Sequence, residues 1–191
     1  MKFNNTNNKW YVVNENNKEK IVWESRSVAV NCVIFLWKNT DYLNNNPYVL
    51  IAERGPNAAD FQGKMNIIAG YLDWNENGKE AVMREAWEEA GINIKELEEN
   101  NYIISNNLAQ PWSVKTDPGE NRQNVVLRYG LAIINKANTL PKLSTTHNEV
   151  EGETVNPQWI RVEDINKYEW AFNHDKLILN YLNNILPLIY K

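Results

Sequence analysis

Runs of β-branched and aromatic residues punctuate this chain at intervals set by polar, asparagine-rich segments. Ser27–Trp37 and Tyr48–Glu53 flank the polar stretch Lys38–Pro47 and predict two core strands. Met65–Leu72, Ile103–Gln110, Asn124–Ile134 and Gln158–Val162 predict four more. Near the N-terminus, Trp10–Val13 and Lys20–Glu24 read as a hairpin around the turn Asn14–Lys18. The periodicity becomes helical in two places. Gly78–Ala90 is rich in Ala, Glu, Met and Lys, with Val82, Ala86 and Ala90 along one side, and Gly91 supplies the stop. Asp175–Leu186 carries Ile178, Leu182, Ile185 and Leu186 at helical spacing, and Pro187 is expected to end it. Strands interleaved with a helix and closed by another predict an α/β fold, an α/β/α sandwich around a mixed β-sheet. No internal repeat or low-complexity linker divides the chain. The expected organisation is a hairpin extension over residues 1–24 and one domain over residues 25–191.

Composition adds bounds. The chain has 191 residues, enough to bury a sizeable core in one domain, and eight Trp and nine Tyr supply apolar area. The single cysteine, Cys32, lies inside an apolar run and reads as a small core residue; one thiol cannot build a zinc ribbon. A net charge of −4 argues against an extended nucleic-acid surface, which carries basic excess. MKFNNTNNKW has no apolar core of a secretory signal, and no apolar stretch approaches a membrane span, so a cytoplasmic protein is expected. The asparagine bias carries no mechanism, although Asn runs make good turns.

The candidate chemistry lies between Gly70 and Ile92. Glu85 and Glu88 are three apart and Glu85 and Glu89 four apart, so three carboxylates crowd one side of the predicted helix. Left unpaired, such like charges cost a few tenths of a kcal/mol per pair. A divalent cation removes that cost, and Mg²⁺ prefers carboxylate oxygen and is commonly completed by substrate phosphates. Gly70 allows a tight turn where the chain leaves a strand.

GYLDWNENGKEAVMREAWEEAGI fits G-x5-E-x7-R-E-U-x-E-E-x-G-U (U apolar) at every fixed position: Gly70, Glu76, Arg84, Glu85, Ala86, Glu88, Glu89, Gly91 and Ile92. The segment resembles the signature of Nudix hydrolases, whose fold is also an α/β/α sandwich. The resemblance implies Mg²⁺-dependent cleavage of a pyrophosphate, with Mn²⁺ as a substitute. It assigns the metal to Glu85, Glu88 and Glu89, aided by a backbone carbonyl near Gly70. Arg84 is expected to orient a carboxylate by pairing with Glu76 or Glu85. Gly70, Glu76 and Gly91 shape the motif. The general base is Glu89 or a glutamate of the 149–153 loop, with Glu151 as the representative candidate.

Substrate contacts are less determined. Gln110-Pro111-Trp112 matches part of a longer motif of Nudix NADH pyrophosphatases, then departs at Ser113-Val114-Lys115. NADH pyrophosphatases commonly carry the zinc ribbon that one cysteine precludes. Ile68-Ala69-Gly70 stands where many members have a Pro-Gly-Gly-like turn. Trp112 is expected to stack on a nucleobase or nicotinamide; the competing reading places it in the core. Arg54 and Arg122, with Arg26 and Arg128 behind them, offer guanidinium forks for phosphate oxygens. His147 and His174 read as structural or exposed. The expected substrate is a nucleoside diphosphate linked to another moiety, ADP-ribose or a dinucleotide such as NADH. The alternatives are a non-catalytic ligand-binding regulatory module of the same fold and an RNA 5′-end or cap pyrophosphohydrolase. No membrane partner is expected, and a homodimer is compatible with the sequence.

Overall fold

The computed structural model describes residues 9–24, 27–38, 46–117, 123–137, 139–145 and 151–189. Strands β1 (Lys9–Glu15) and β2 (Lys18–Glu24) pair antiparallel as a separate two-stranded sheet. Asn16 and Asn17 connect them at φ 53° and 60°. Two successive left-handed residues are what a two-residue type I′ hairpin turn requires, and asparagine tolerates them.

The remaining strands form one mixed sheet: β3 (Val28–Lys38), β4 (Tyr48–Arg54), β5 (Met65–Asn66), β6 (Ile68–Tyr71), β7 (Tyr102–Asn106), β8 (Ser113–Lys115), β9 (Val125–Asn135) and β10 (Thr154–Arg161). The order across the sheet is β10-β4-β3-β9-β7, with β5 on β4, β6 on β3 and β8 on β9. Among the paired strands of the described residues, β3 and β9 are the parallel pair, in register from Val28 opposite Val125 to Lys38 opposite Asn135. The predicted strand at Ile103–Gln110 is shorter in fact, and Gln110 lies outside it.

Period-two alternation along β3 builds two cores. Val30, Cys32, Ile34 and Leu36 face helix α1 (Gly78–Ala90), meeting Ala81, Val82, Ala86 and Ala90. Val33, Phe35 and Trp37 face helix α3 (His174–Asn180) and the turn after it, meeting Leu177, Ile178 and Tyr181. Helices therefore cover both faces of the sheet, which is the expected α/β/α sandwich. Cys32 is buried at 0% exposure, as its neighbours in the run suggested.

Helix α2 (Ile94–Asn100) was not anticipated: only Ile94 and Leu97 of its seven residues are buried. Asn93 caps it through bonds accepted from Lys95 and Glu96 N–H. The C-terminal helix also departs from expectation. After α3 the chain widens into a π-turn (Tyr181–Ile185) and continues as α4 (Leu186–Ile189), so Pro187 lies inside helix rather than beyond it. Leu186 N–H reaches back five residues to Tyr181 O. Pro187 has no N–H and needs no partner where the ladder is already interrupted.

Candidate active site

Helix α1 begins at Asn77, whose side chain accepts from Lys79 and Glu80 N–H while Glu80 Oε2 accepts from Asn77 N–H. This reciprocal capping box fixes the first turn. Gly91 closes the helix at φ 66°, with its N–H bonded to Trp87 O and that of Ile92 to Ala86 O. Glycine, with no Cβ, takes that left-handed conformation at the lowest cost.

Between these caps, Arg84 ties the entering loop to the helix. Its Nε and Nη2 donate to the two oxygens of Glu76 at 3.1 and 2.8 Å, and Nη2 also donates to Tyr71 O. Nη1 donates to Glu85 Oε1 at 2.8 Å and to Glu88 Oε2 at 3.0 Å. The expectation named Glu76 or Glu85 as partner; both are partners, and Glu88 is a third. The Arg84 bonds hold the Glu76 carboxyl below its ordinary range against partial burial. Glu76 in turn accepts from Asp73 N–H, which holds the loop.

Glu85 and Glu89 point inward, at 8% and 7% exposure. Burial is the main cause that lifts Glu85 from 4.5 to about 7, although Arg84 pulls the other way. Glu89 is raised well above its ordinary value, by burial first and by Glu85 second. Its carboxylate accepts from Ala69 N–H at 3.1 Å and from the Thr154 hydroxyl at 3.2 Å. Gly70 makes the close approach possible: a Cβ there would land on the Glu85 carboxylate. The fixed glycine of the motif is thus required by packing against the motif's own glutamate.

These groups line a cavity of about 760 Å³. Gly70, Arg84, Glu85, Glu88 and Glu89 form one wall; Arg54, Arg128, Glu153, Thr154, Phe172 and His174 lie among the others. Arg54 reaches the cavity as expected, but its guanidinium is engaged by Asp60, to Oδ1 at 2.7 Å and to the backbone carbonyl at 2.8 Å. His174 is buried, its Nδ1 accepting from Ile67 N–H, and burial with three nearby cations holds the imidazole neutral down to about pH 3.

Three expectations need correction. Trp112 does not line the cavity. Its indole packs on the α3-side core, 5.4 Å from the Tyr181 ring, and Nε1 donates to Tyr129 O. An indole with one polar edge is satisfied there, so the core reading of Trp112 prevails. Gln110 is exposed beside it and also lies outside the cavity. Glu151 is exposed in a turn held by Asn57, which donates to its carbonyl; of the two described glutamates of that loop, Glu153 is the one on the cavity wall. Arg26, Arg122, His147 and Glu149 lie outside the described residues. Thr154 and Asn31 escaped sequence reading altogether, because only strand pairing brings them to the site.

Among the described residues no three acidic, imidazole or thiol groups converge tightly enough to enclose a cation. The carboxylates nevertheless fit a hard divalent ion. Two are buried at a cost that a cation relieves, all three flank the cavity, and the bare Cα of Gly70 keeps the approach open.

The family model for the NUDIX domain matches residues 26–181. The chain belongs to the Nudix family, and its fold and intact motif define a Nudix-type pyrophosphohydrolase. Among solved structures it is similar to the NUDIX domain of Shewanella oneidensis NrtR complexed with ADP ribose (TM-score 0.56, 14% identity, covering 82% of this chain and 86% of that one). It is similar also to a Caenorhabditis elegans Ap4A hydrolase (TM-score 0.53, 18% identity, 81% and 94% covered). A third likeness is to a bifunctional NMN adenylyltransferase/ADP ribose pyrophosphatase from Francisella tularensis (TM-score 0.62, 16% identity), of which 84% of this chain covers 41%. At these identities the likeness establishes the fold. No curated protein matches the sequence.

Proposed function

We propose that residues 25–191 form a catalytic domain that hydrolyses the pyrophosphate of a nucleoside diphosphate linked to a second moiety, ADP-ribose or a dinucleotide such as NADH. The observation that carries this reading is the pair of buried carboxylates, Glu85 against Gly70 and Glu89 against Ala69 N–H and Thr154, on the wall of a cavity large enough for a nucleotide. Glu85, Glu88 and Glu89 would hold Mg²⁺, for which Mn²⁺ substitutes. The ion, when bound, neutralises phosphoryl charge and acidifies the attacking water. Arg84 keeps Glu85 and Glu88 aligned through its bonds to both. Glu89, with Glu153 as the loop candidate in place of Glu151, takes the proton from water. Arg54 is positioned to meet phosphate oxygens once Asp60 releases part of its fork.

The cleavage is a substitution at phosphorus: a water oxygen bonds to one phosphorus, the bridging oxygen leaves with the second phosphate, and the water proton passes to the base. A cytoplasmic setting belongs to the same proposal. Among the described residues no helix is long and apolar enough to cross a membrane. A panel of ADP-ribose, NADH, diadenosine polyphosphates, nucleotide sugars, deoxynucleoside triphosphates and capped RNA, with Mg²⁺ and Mn²⁺, tests the reading. Turnover of a two-phosphate conjugate ahead of triphosphates and RNA is expected; preference for capped RNA would replace the proposal with the RNA 5′-end alternative. Ligand binding without turnover of any compound would favour the regulatory module.

A further inference from the structure

We propose that the floor of the cavity, at Asn31, Arg128 and Lys115, binds a second anionic group of the substrate, a phosphate beyond the pyrophosphate that is cleaved. The proposal rests on the hydrolase reading for the place of the reacting phosphate.

The floor is read directly from strand register. Ala69 on β6 lies opposite Asn31 on β3, Asn31 opposite Arg128 on β9, and Arg128 opposite Ser113 on β8. One step along, Tyr71, Ala29, Val126 and Lys115 form a second such row. Residues paired in this way share a face of the sheet, because side chains two apart return to the same side. Ala69 and Ala29 are small and leave the floor concave, while Asn31, Arg128 and Lys115 all line the cavity. The rows begin beside the catalytic carboxylates, since Ala69 N–H is bonded to Glu89. Adjacent strands lie about 4.8 Å apart, so Arg128 sits on the order of 10 Å from Ala69.

Two polar groups on this floor lack partners. Asn31 is 6% exposed and its Oδ1 is buried with no hydrogen bond. Arg128 Nε is likewise buried without an acceptor. The other two arginines of the cavity are engaged, Arg54 by Asp60 and Arg84 by Glu76, Glu85 and Glu88. The Arg128 guanidinium lies 6.0 Å from the Trp112 ring and feels the charge of Asp117, a carboxylate that also lines the cavity, without a hydrogen bond to its buried Nε. Native proteins rarely leave buried polar atoms unsatisfied, and a guanidinium is built for the paired oxygens of a phosphate. Lys115 adds an exposed positive charge on the same face. Asn31, midway between the carboxylates and Arg128, offers an acceptor to a hydroxyl along the way. The second phosphate has two chemical sources: a longer oligophosphate chain, or a phosphorylated sugar attached to the pyrophosphate.

Three ligands separate these cases: ADP-ribose, ADP-ribose 2′-phosphate, and diadenosine tetraphosphate. Wild-type protein should show kcat/KM at least tenfold higher for one of the latter two than for ADP-ribose, and which one it is identifies the source. Arg128→Gln should abolish that ratio, and Arg128→Lys should retain part of it. Should Arg128→Gln lower the melting temperature enough to obscure kinetics, Lys115→Gln, at an exposed site, should reduce the ratio severalfold on its own. Titration calorimetry of the same ligands in EDTA, where no metal-dependent hydrolysis proceeds, should give the same ranking. Absence of turnover with that ranking intact would remove the hydrolase reading and leave the subsite standing. Equal affinities for all three ligands, or a preference that survives both glutamine substitutions, would overturn the subsite.

Discussion

Replacing Glu85 with glutamine should change how stability depends on pH. In the folded, metal-free protein burial holds this carboxyl near pH 7, against 4.5 for the ordinary group. Between those values the folded chain binds more protons at this position than the unfolded chain. Stability therefore falls as pH rises from 4.5 to about 7 and then levels off. At 1.36 kcal/mol per pH unit, the loss is about 3 kcal/mol over that range. Glutamine has no such titration, and removing the Glu85 charge also lowers the repulsion felt by Glu89. Both effects have the same sign. The assay is urea unfolding of both proteins in EDTA at pH 4.5, 5.5, 6.5 and 7.5. The stability of wild type minus that of Glu85→Gln should drop by about 3 kcal/mol across the series, equivalent to about 6–12 °C in melting temperature for a domain of this size. The lost Arg84 bond shifts the whole difference curve but leaves its slope alone, because Arg84 stays charged throughout. Parallel pH curves for the two proteins would refute the claim that Glu85 is held in a desolvated, strained ionisation state.

Gly70→Ala should push the Glu85 carboxylate out of place, costing about 1–3 kcal/mol of stability and lowering kcat well beyond what that loss explains; normal turnover would show that the close approach is dispensable. Trp112→Ala should remove about 3–5 kcal/mol of stability, read by chemical denaturation, with little change in KM; a raised KM in a protein of unchanged stability would return Trp112 to the substrate pocket. Mg²⁺ at millimolar concentration should raise the melting temperature of wild type and do so less for Glu85→Gln, because only the folded chain gathers the carboxylates; an unchanged wild-type melting curve would count against a metal site.

Much of this arrangement was legible in the sequence because its determinants are local. The helix from Gly78 to Ala90 follows from residue propensities and a glycine stop, and the crowding of Glu85, Glu88 and Glu89 follows from helical spacing. The β3 run could be seen as a buried strand, although which residues face which helix required the partner layers. What escaped the sequence depends on distant pairing. Asn31 is one polar residue in an apolar strand, and it becomes part of a site only because β9 sets Arg128 beside it. Trp112 resembled a pocket residue by its neighbours in sequence, whereas β8 pairs antiparallel with β9 and leaves the indole against Tyr181. Within the 149–153 loop, Glu153 rather than Glu151 meets the cavity because the turn at Gly152, φ 75°, redirects the chain. Short helix α2 was invisible because a polar seven-residue segment buries too little to show a pattern.

The central claim is that Glu89 and its neighbours form a metal-dependent hydrolytic centre in a preorganised cavity. The most direct measurement is single-turnover hydrolysis of the best panel substrate by wild type and Glu89→Gln, with Mg²⁺, alongside melting temperatures of both. The account predicts a rate at least a hundredfold lower for Glu89→Gln, with the fold intact by melting temperature. A Glu89→Gln protein that turns over substrate at the wild-type rate would contradict it.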